Sequence, residues 1–276
     1  MNINPSGDHA PDRATVRRAY AMGRFGQIHF RRAGPAGGTS PLLLLHPSPL
    51  SSYVFENFAA EMGRDRAVVA PDTPGFGLSD PPQTPPEIAD YAAEMHNLIA
   101  TLGFGLVDVM GYHTGSLTAI EMARQQPHAV RKIVMISATI FTPEERDAFR
   151  KQYSGHTIDN RIGGMSEAWP IFRDAFWPME PNAARRANIF LESRRNPDVA
   201  PWGHRAAFNY ALEPVLPQIT QPILVLNPED DLWTYTPRIA PYLKNGRGHD
   251  LPGWNHGFLD AKTAETAALV RQFLNS

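Results

Sequence analysis

LVDVMGYHTGSLTAIEMA, residues 106–123, changes its periodicity half-way along. Residues 106–110 form a short apolar run of the kind found in a buried strand, whereas Leu117, Ile120 and Ala123 recur every three positions, like the covered face of a helix. Between the two stands Gly111-Tyr112-His113-Thr114-Gly115. A strand that turns at once into a helix brings two backbones close together, and flanking glycines remove the Cβ atoms that would keep them apart. The residue at the turn is then strained at positive φ, with its side chain raised at the carboxyl edge of the sheet. Histidine is one of the few non-glycine residues enriched at positive φ, so His113 suits that position.

The rest of the chain supplies a sheet for this turn to sit in. Residues 15–33 alternate apolar and polar around Gly23 to Gly26, as an antiparallel edge hairpin does. Buried-strand runs follow at 42–45, 67–70, 130–137 and 222–227, with a shorter strand near 247–251. Helical patterns lie between them at 52–62, 87–102, 237–243 and 261–273. Strands alternating with helices predict a mainly parallel sheet covered on both faces. Residues 141–217 break this rhythm: they hold no strand-like run but much Trp, Phe, Arg and Pro. The division expected is a loose tail at 1–14, a core of 15–140 and 215–276, and a helical lid at 141–214.

Composition narrows the chemistry. The 276 residues carry a net charge of -2, which gives no electrostatic reason to expect nucleic acid or an anionic membrane as partner. With no cysteine, disulfides, thiolate metal sites and a cysteine nucleophile are excluded. The polar start, MNINPSGDHAPDRATVRRAY, lacks the apolar region of a secretory signal, and no apolar run reaches the length of a membrane span. A cytoplasmic monomer or homodimer acting on a small molecule, with no cofactor or metal, is the expectation.

The strand–Gly-Tyr-His-Thr-Gly–helix turn resembles the G-x-S-x-G nucleophile elbow of the α/β-hydrolases, with His113 where that family has serine. The resemblance runs over residues 16–275. His46-Pro47-Ser48-Pro49 is similar to the family's H-G-x-P oxyanion loop, and PDTPGFGLSD, residues 71–80, to its D-x-P-G-x-G-x-S-D loop. Asn227-Pro228-Glu229-Asp230-Asp231 stands where the family places its acid, and Trp254-Asn255-His256-Gly257 where it places its histidine. The resemblance implies an α/β-hydrolase fold with an eight-stranded sheet and a lid after the sixth strand. It also implies a triad of His113, Asp231 and His256, with Asp230 as the acid if the register is one residue off. Backbone N–H groups of Ser48 and Thr114 would form the oxyanion hole. Pro47 in place of the usual glycine removes one N–H from that loop.

An imidazole at the elbow leaves several mechanisms open. His113 and His256 can flank a water or an acidic substrate proton and act as bases, an Asp behind His256 leaving its other ring nitrogen free. His113 can instead attack a carbonyl and form an acyl-imidazole. A metal shared by the two rings is disfavoured if Asp231 lies behind His256, since the rings then cannot converge on one ion. Lyase or decarboxylase chemistry on the same bases, or a catalytically silent receptor, are the alternatives to a hydrolase of esters, lactones or ketone-flanked C–C bonds. The intact Asp231 and His256 speak against the receptor.

Candidate substrate contacts are His46, which more readily props the oxyanion loop, Tyr112, which more readily packs behind the site, and Trp177, Trp202, Arg205 and Tyr210 of the inserted segment. An arginine there can grip a carboxylate bidentately.

Overall fold

Leu42–Leu45 is buried residue by residue, and it is central to an eight-stranded sheet. The computed structural model describes residues 13–35, 37, 39–138, 140–153 and 164–276. In chain order these form β1 (Arg17–Gly23), β2 (Gly26–Ala33), β3 (Leu42–Leu45), α1 (Glu56–Met62), β4 (Val68–Pro71), α2 (Ile88–Thr101), β5 (Val107–Tyr112), α3 (Thr114–Gln125) and β6 (Val130–Ile136). There follow α4 (Pro143–Tyr153), α5 (Gly164–Ile171), α6 (Ala183–Glu192), α7 (Ala200–Asn209), β7 (Ile223–Pro228), β8 (Gly246–Leu251), α8 (Phe258–Ala261) and α9 (Thr263–Asn275). The strand order is β1-β2-β4-β3-β5-β6-β7-β8. Only β2 runs against the rest, pairing antiparallel with β1 and β4.

Alternation of side chains divides the core in two. Leu42, Leu44, Met110, Tyr112, Val134, Ile136, Leu224 and Leu226 face α1 and α9. Leu43, Leu45, Val109, Ile133, Met135, Ile223 and Val225 face α2 and α3. Each fully buried aliphatic side chain contributes roughly 1.5–3 kcal/mol of burial free energy, which is why these strands read as continuous apolar runs.

The expected fold is borne out, with local differences. The helix expected at 237–243 is a 3-10 turn, Thr236–Tyr242, because Pro237 and Pro241 interrupt α-helical hydrogen bonding. Before the last helix the chain also makes one short turn of its own, α8. Helices α4–α7 lie between β6 and β7 in sequence. Of the tail expected at 1–14, residues 1–12 lie outside the described residues, as do 154–163 of the segment expected as a lid. Among the described residues no helix is long and apolar enough to cross a membrane.

Candidate active site

The turn after β5 shows why its glycines are needed. His113 sits at φ 49°, ψ −112°. A Cβ on Gly111 would meet the Gly115 carbonyl oxygen at 2.2 Å, and one on Gly115 would meet the Leu45 carbonyl oxygen at 2.0 Å. The His113 N–H donates to the Ile136 carbonyl at 2.9 Å, tying the turn to β6. Ser116 Oγ sits 2.8 Å from the Gly111 carbonyl and accepts the Ile136 N–H at 3.1 Å. Thr114 opens α3, where the first N–H groups have no acceptor within the helix and the dipole presents its positive end.

At the carboxyl ends of β5, β7 and β8 two histidines meet two carboxylates. His113 Nε2 lies 2.9 Å from Asp230 Oδ2 and 3.9 Å from Asp231 Oδ1. His256 Nε2 lies 2.9 Å from Asp231 Oδ1, and its Nδ1 is 2.6 Å from the Tyr112 hydroxyl. The two imidazole centroids are 5.2 Å apart. Asp230 is buried and fixed from below, accepting the Ser137 hydroxyl at 2.6 Å and the Leu232 N–H at 2.9 Å. Trp177 stacks on His256 at 5.5 Å, with the planes 12° apart.

Electrostatics follow from this crowding. Burial alone would lower the proton affinity of His113, but the charge and hydrogen bond of Asp230, with the charge of Asp231, reverse it and raise the pKa above the ordinary histidine value. Burial pushes the two carboxyls up, and their histidine partners more than offset this, holding Asp230 below and Asp231 well below the usual carboxylate range. Burial raises the Tyr112 phenol well above its ordinary pKa, and the two Asp charges add to the effect, so Tyr112 stays a neutral hydroxyl beside His256.

Two cavities open onto this cluster. One, of about 300 Å³, is lined by Pro47, Leu50, Ala168, Phe172, Trp177 and Arg194, among others. The other, of about 80 Å³, is lined by Thr114, Leu117, Phe149, Ala207, Phe208 and Tyr210, among others. Ser48, His113, Tyr153, His204 and Asp231 line both.

The structure therefore brings together His113, Asp231, His256, Ser48 and Thr114, with Trp177 and Tyr210 on the walls. It also changes four expectations. Asp230 and Asp231 are not alternatives: each carboxylate takes a different histidine. His256 has no free ring nitrogen, because Tyr112 occupies Nδ1 while Asp231 holds Nε2. Arg205 does not reach either cavity; it pairs with Glu87 at 2.8 Å on an exposed surface, Glu87 being fixed there as the N-cap of α2. Trp202 packs against the small cluster of Phe76, Tyr91 and Val199 instead.

His46 and Tyr112 line neither cavity. His46 is buried and accepts the Thr73 N–H at Nε2 (2.9 Å), while its Nδ1 donates to the Pro47 carbonyl at 3.0 Å. That bonding fixes a neutral tautomer and braces the loop that carries Ser48. Burial lowers the His46 pKa in the same sense, against the opposing charge of Asp72.

The residue sequence reasoning missed is Arg194. It lines the larger cavity, lies over the Phe190 ring at 5.4 Å, and has its Nε buried with no hydrogen-bond partner among the described residues. Burial lowers its pKa. The adjacent Arg195 and the absence of helical periodicity in ESRRNPD gave no signal that this one faces inward.

The expectation that Asp231 lies behind His256 holds, and both lie close to the other pair. His113, Asp230, Asp231 and His256 each offer a donor atom, and the four lie within 4.8 Å of one another.

Residues 40–157 match the α/β hydrolase fold family. A hydrolase of Pseudomonas aeruginosa PA01 superposes with a TM-score of 0.80 over 94% of this chain and 98% of its own, at 17% sequence identity. The chain has the α/β-hydrolase fold. Among curated relatives, an uncharacterized protein of Mycobacterium tuberculosis is 29% identical over 150 residues, 54% of this chain and 42% of its own length. The 2-(acetamidomethylene)succinate hydrolase of Mesorhizobium japonicum is 34% identical over 109 residues, 39% of each chain. The matches thus span about two fifths of the length of these relatives. Within this α/β-hydrolase fold, His113 stands at the turn between β5 and α3, and Ser48 in the loop that follows β3.

Proposed function

We propose that the chain is a hydrolase for small carbonyl compounds, such as esters, lactones or substrates with a C–C bond next to a ketone, in which a water attacks the carbonyl directly. The observation that carries this reading is the meeting of two histidine–carboxylate pairs at the elbow, opening onto both cavities. His113 is the ring that faces both cavities; its neutral form is placed to take a proton from the water, and Asp230 steadies the imidazolium that results. Asp231 and Tyr112 hold His256 in place as the second ring of the cluster. The N–H groups of Thr114 and Ser48 take up the charge that develops on the carbonyl oxygen.

The larger cavity is mostly apolar and aromatic, with the Arg194 guanidinium among its described lining residues. Such a wall suits a substrate with an apolar body and a carboxylate. The relative from Mesorhizobium, named for a succinate, supports that class. Helices α4–α7 supply much of both cavity walls, and this is the basis for reading them as a lid over the sheet.

Turnover of aryl esters, lactones and β-diketone acids in H₂¹⁸O, with product mass analysis, tests the reading. Wild type is expected to place one ¹⁸O in the carboxylate product, and His113→Ala and Asp230→Asn to lose turnover. Product without ¹⁸O would make the chemistry a lyase reaction, and equal rates in wild type and both variants would remove the cluster from catalysis.

A further inference from the structure

We infer that the His113–Asp230–Asp231–His256 cluster is a binding site for one divalent first-row transition metal ion. The inference deepens the hydrolase reading and rests on the same residues, with His113 holding the ion in place of acting as the base. Metal–ligand bonds of about 2.1 Å place cis donors about 3.0 Å apart and trans donors about 4.2 Å apart in an octahedron. His113 Nε2 to Asp230 Oδ2 and His256 Nε2 to Asp231 Oδ1, each 2.9 Å, match cis edges, and His113 Nε2 to Asp231 Oδ1, 3.9 Å, is close to a trans span. The whole set lies within 4.8 Å, roughly 0.6 Å beyond the trans span, so side-chain shifts of that order close it on a central ion.

Three further features fit an ion. Outer-shell partners are already in place: Ser137 and the Leu232 N–H on Asp230, and Tyr112 on His256 Nδ1. When Nε2 binds metal, the ring proton of His256 resides on Nδ1, and the Tyr112 oxygen accepts it, the usual arrangement behind a ligating histidine. The cluster is also closed on one side and open on the other. Asp230 is buried beneath it, while His113 and Asp231 line both cavities and His256 the larger one. Metal sites that bind substrate or water keep such an open face. Two carboxylates match the charge of a dication. Two imidazole nitrogens favour manganese, iron, cobalt, nickel or zinc over the oxygen-seeking magnesium and calcium. An ion here would occupy the space between the two histidine–carboxylate pairs and polarise a water or carbonyl beside it.

The test uses untagged full-length protein, dialysed against EDTA and then titrated with Mn²⁺, Co²⁺ or Zn²⁺ by calorimetry, with metal content by plasma mass spectrometry. One equivalent per chain is expected, with a Co²⁺ visible spectrum and a rise in melting temperature. Asp231→Asn, whose side chain is half exposed and can change without unfolding the chain, is expected to weaken binding at least tenfold; Asp230→Asn and His113→Ala are expected to abolish it. Circular dichroism reports whether each variant is folded. No binding to folded wild type, or binding unchanged in all three folded variants, overturns the inference. Metal-free protein that hydrolyses carbonyl substrates and takes up none of the three ions overturns it while leaving the hydrolase reading intact. Stoichiometric metal with no hydrolysis of any carbonyl substrate does the reverse.

Discussion

His113 alters what the neighbouring histidine can do. In a serine-dependent member of this fold a free imidazole nitrogen takes the hydroxyl proton. Here both nitrogens of His256 are held, by Tyr112 and by Asp231. His113→Ser is therefore expected to stay at least about 100-fold below wild type on any substrate found, and intact-protein mass spectrometry is expected to show no acyl adduct. A burst with a stable acyl-serine would mean that His256 swings free of Tyr112. The flanking glycine tests the turn itself: Gly115→Ala forces a Cβ into the Leu45 carbonyl, a backbone atom that cannot rotate away. Its melting free energy should fall by about 1–3 kcal/mol or more, measured by denaturant unfolding. Arg194 tests substrate class. Arg194→Met keeps the side-chain volume and removes the charge, and a charge-assisted hydrogen bond of about 1.5–3 kcal/mol predicts a KM raised about 10- to 100-fold for acidic substrates, with neutral analogues unaffected.

Between elements, the clearest pH effect sits where the chain before α6 docks on α8. Arg185 Nε lies 2.9 Å from Asp260 and 3.4 Å from Glu180, so one buried guanidinium faces two carboxyls. Burial, then the hydrogen bond and charge of Asp260, raise the Glu180 pKa to about 8. A carboxyl whose folded pKa lies above its unfolded value stabilises the fold fully below the unfolded value, and that stability drains away as pH rises through the folded one. Melting temperature should therefore fall as pH climbs from about 4.5 to about 8, and Glu180→Gln should flatten that slope in scanning calorimetry. An unchanged slope would mean that Glu180 is ionised in the fold at neutral pH. At this scale the sequence was most legible where one element fixes its own pattern. The buried runs of β3 and β7 and the 3.6-residue repeat of α3 are local signals, and the structure follows them closely. The 3-10 turn at Thr236–Tyr242 was misjudged because apolar spacing spoke for a helix while two prolines removed its hydrogen bonds. The buried pairing of Arg185 with Glu180 and Asp260 left no trace in local sequence, since its members are far apart along the chain.

At the scale of the whole molecule the site depends on segments that the sequence orders but does not orient. The sharp turn after β5, the loop after β3 and the histidine before α8 could each be located from local residues. Which of the adjacent Asp230 and Asp231 faces which ring, and that Arg194 rather than Arg205 faces a cavity, depend on how β7 and the segment between α6 and α7 dock. The most consequential docking contact is that of α7 on the Ser48 loop. A Cβ on Gly203 would lie 1.9 Å from Ser48 Oγ and 2.4 Å from Ser48 Cβ. The hydroxyl can rotate away, but Ser48 Cβ can retreat only if its backbone moves, and with it the N–H assigned to the oxyanion hole. His46 braces that loop from the far side through Pro47 and Thr73, so the strain falls on Ser48 itself. Gly203→Ala is therefore expected to lower kcat about 10- to 1000-fold, the range for a displaced oxyanion donor, with a smaller change in KM. Steady-state kinetics on the smallest accepted substrate separates the two effects, because such a substrate does not need the volume that the new methyl takes from the cavity. A change confined to KM would mean that Gly203 shapes the cavity and that the charge on the substrate oxygen is met elsewhere, by Thr114 alone or by an ion between the two histidines.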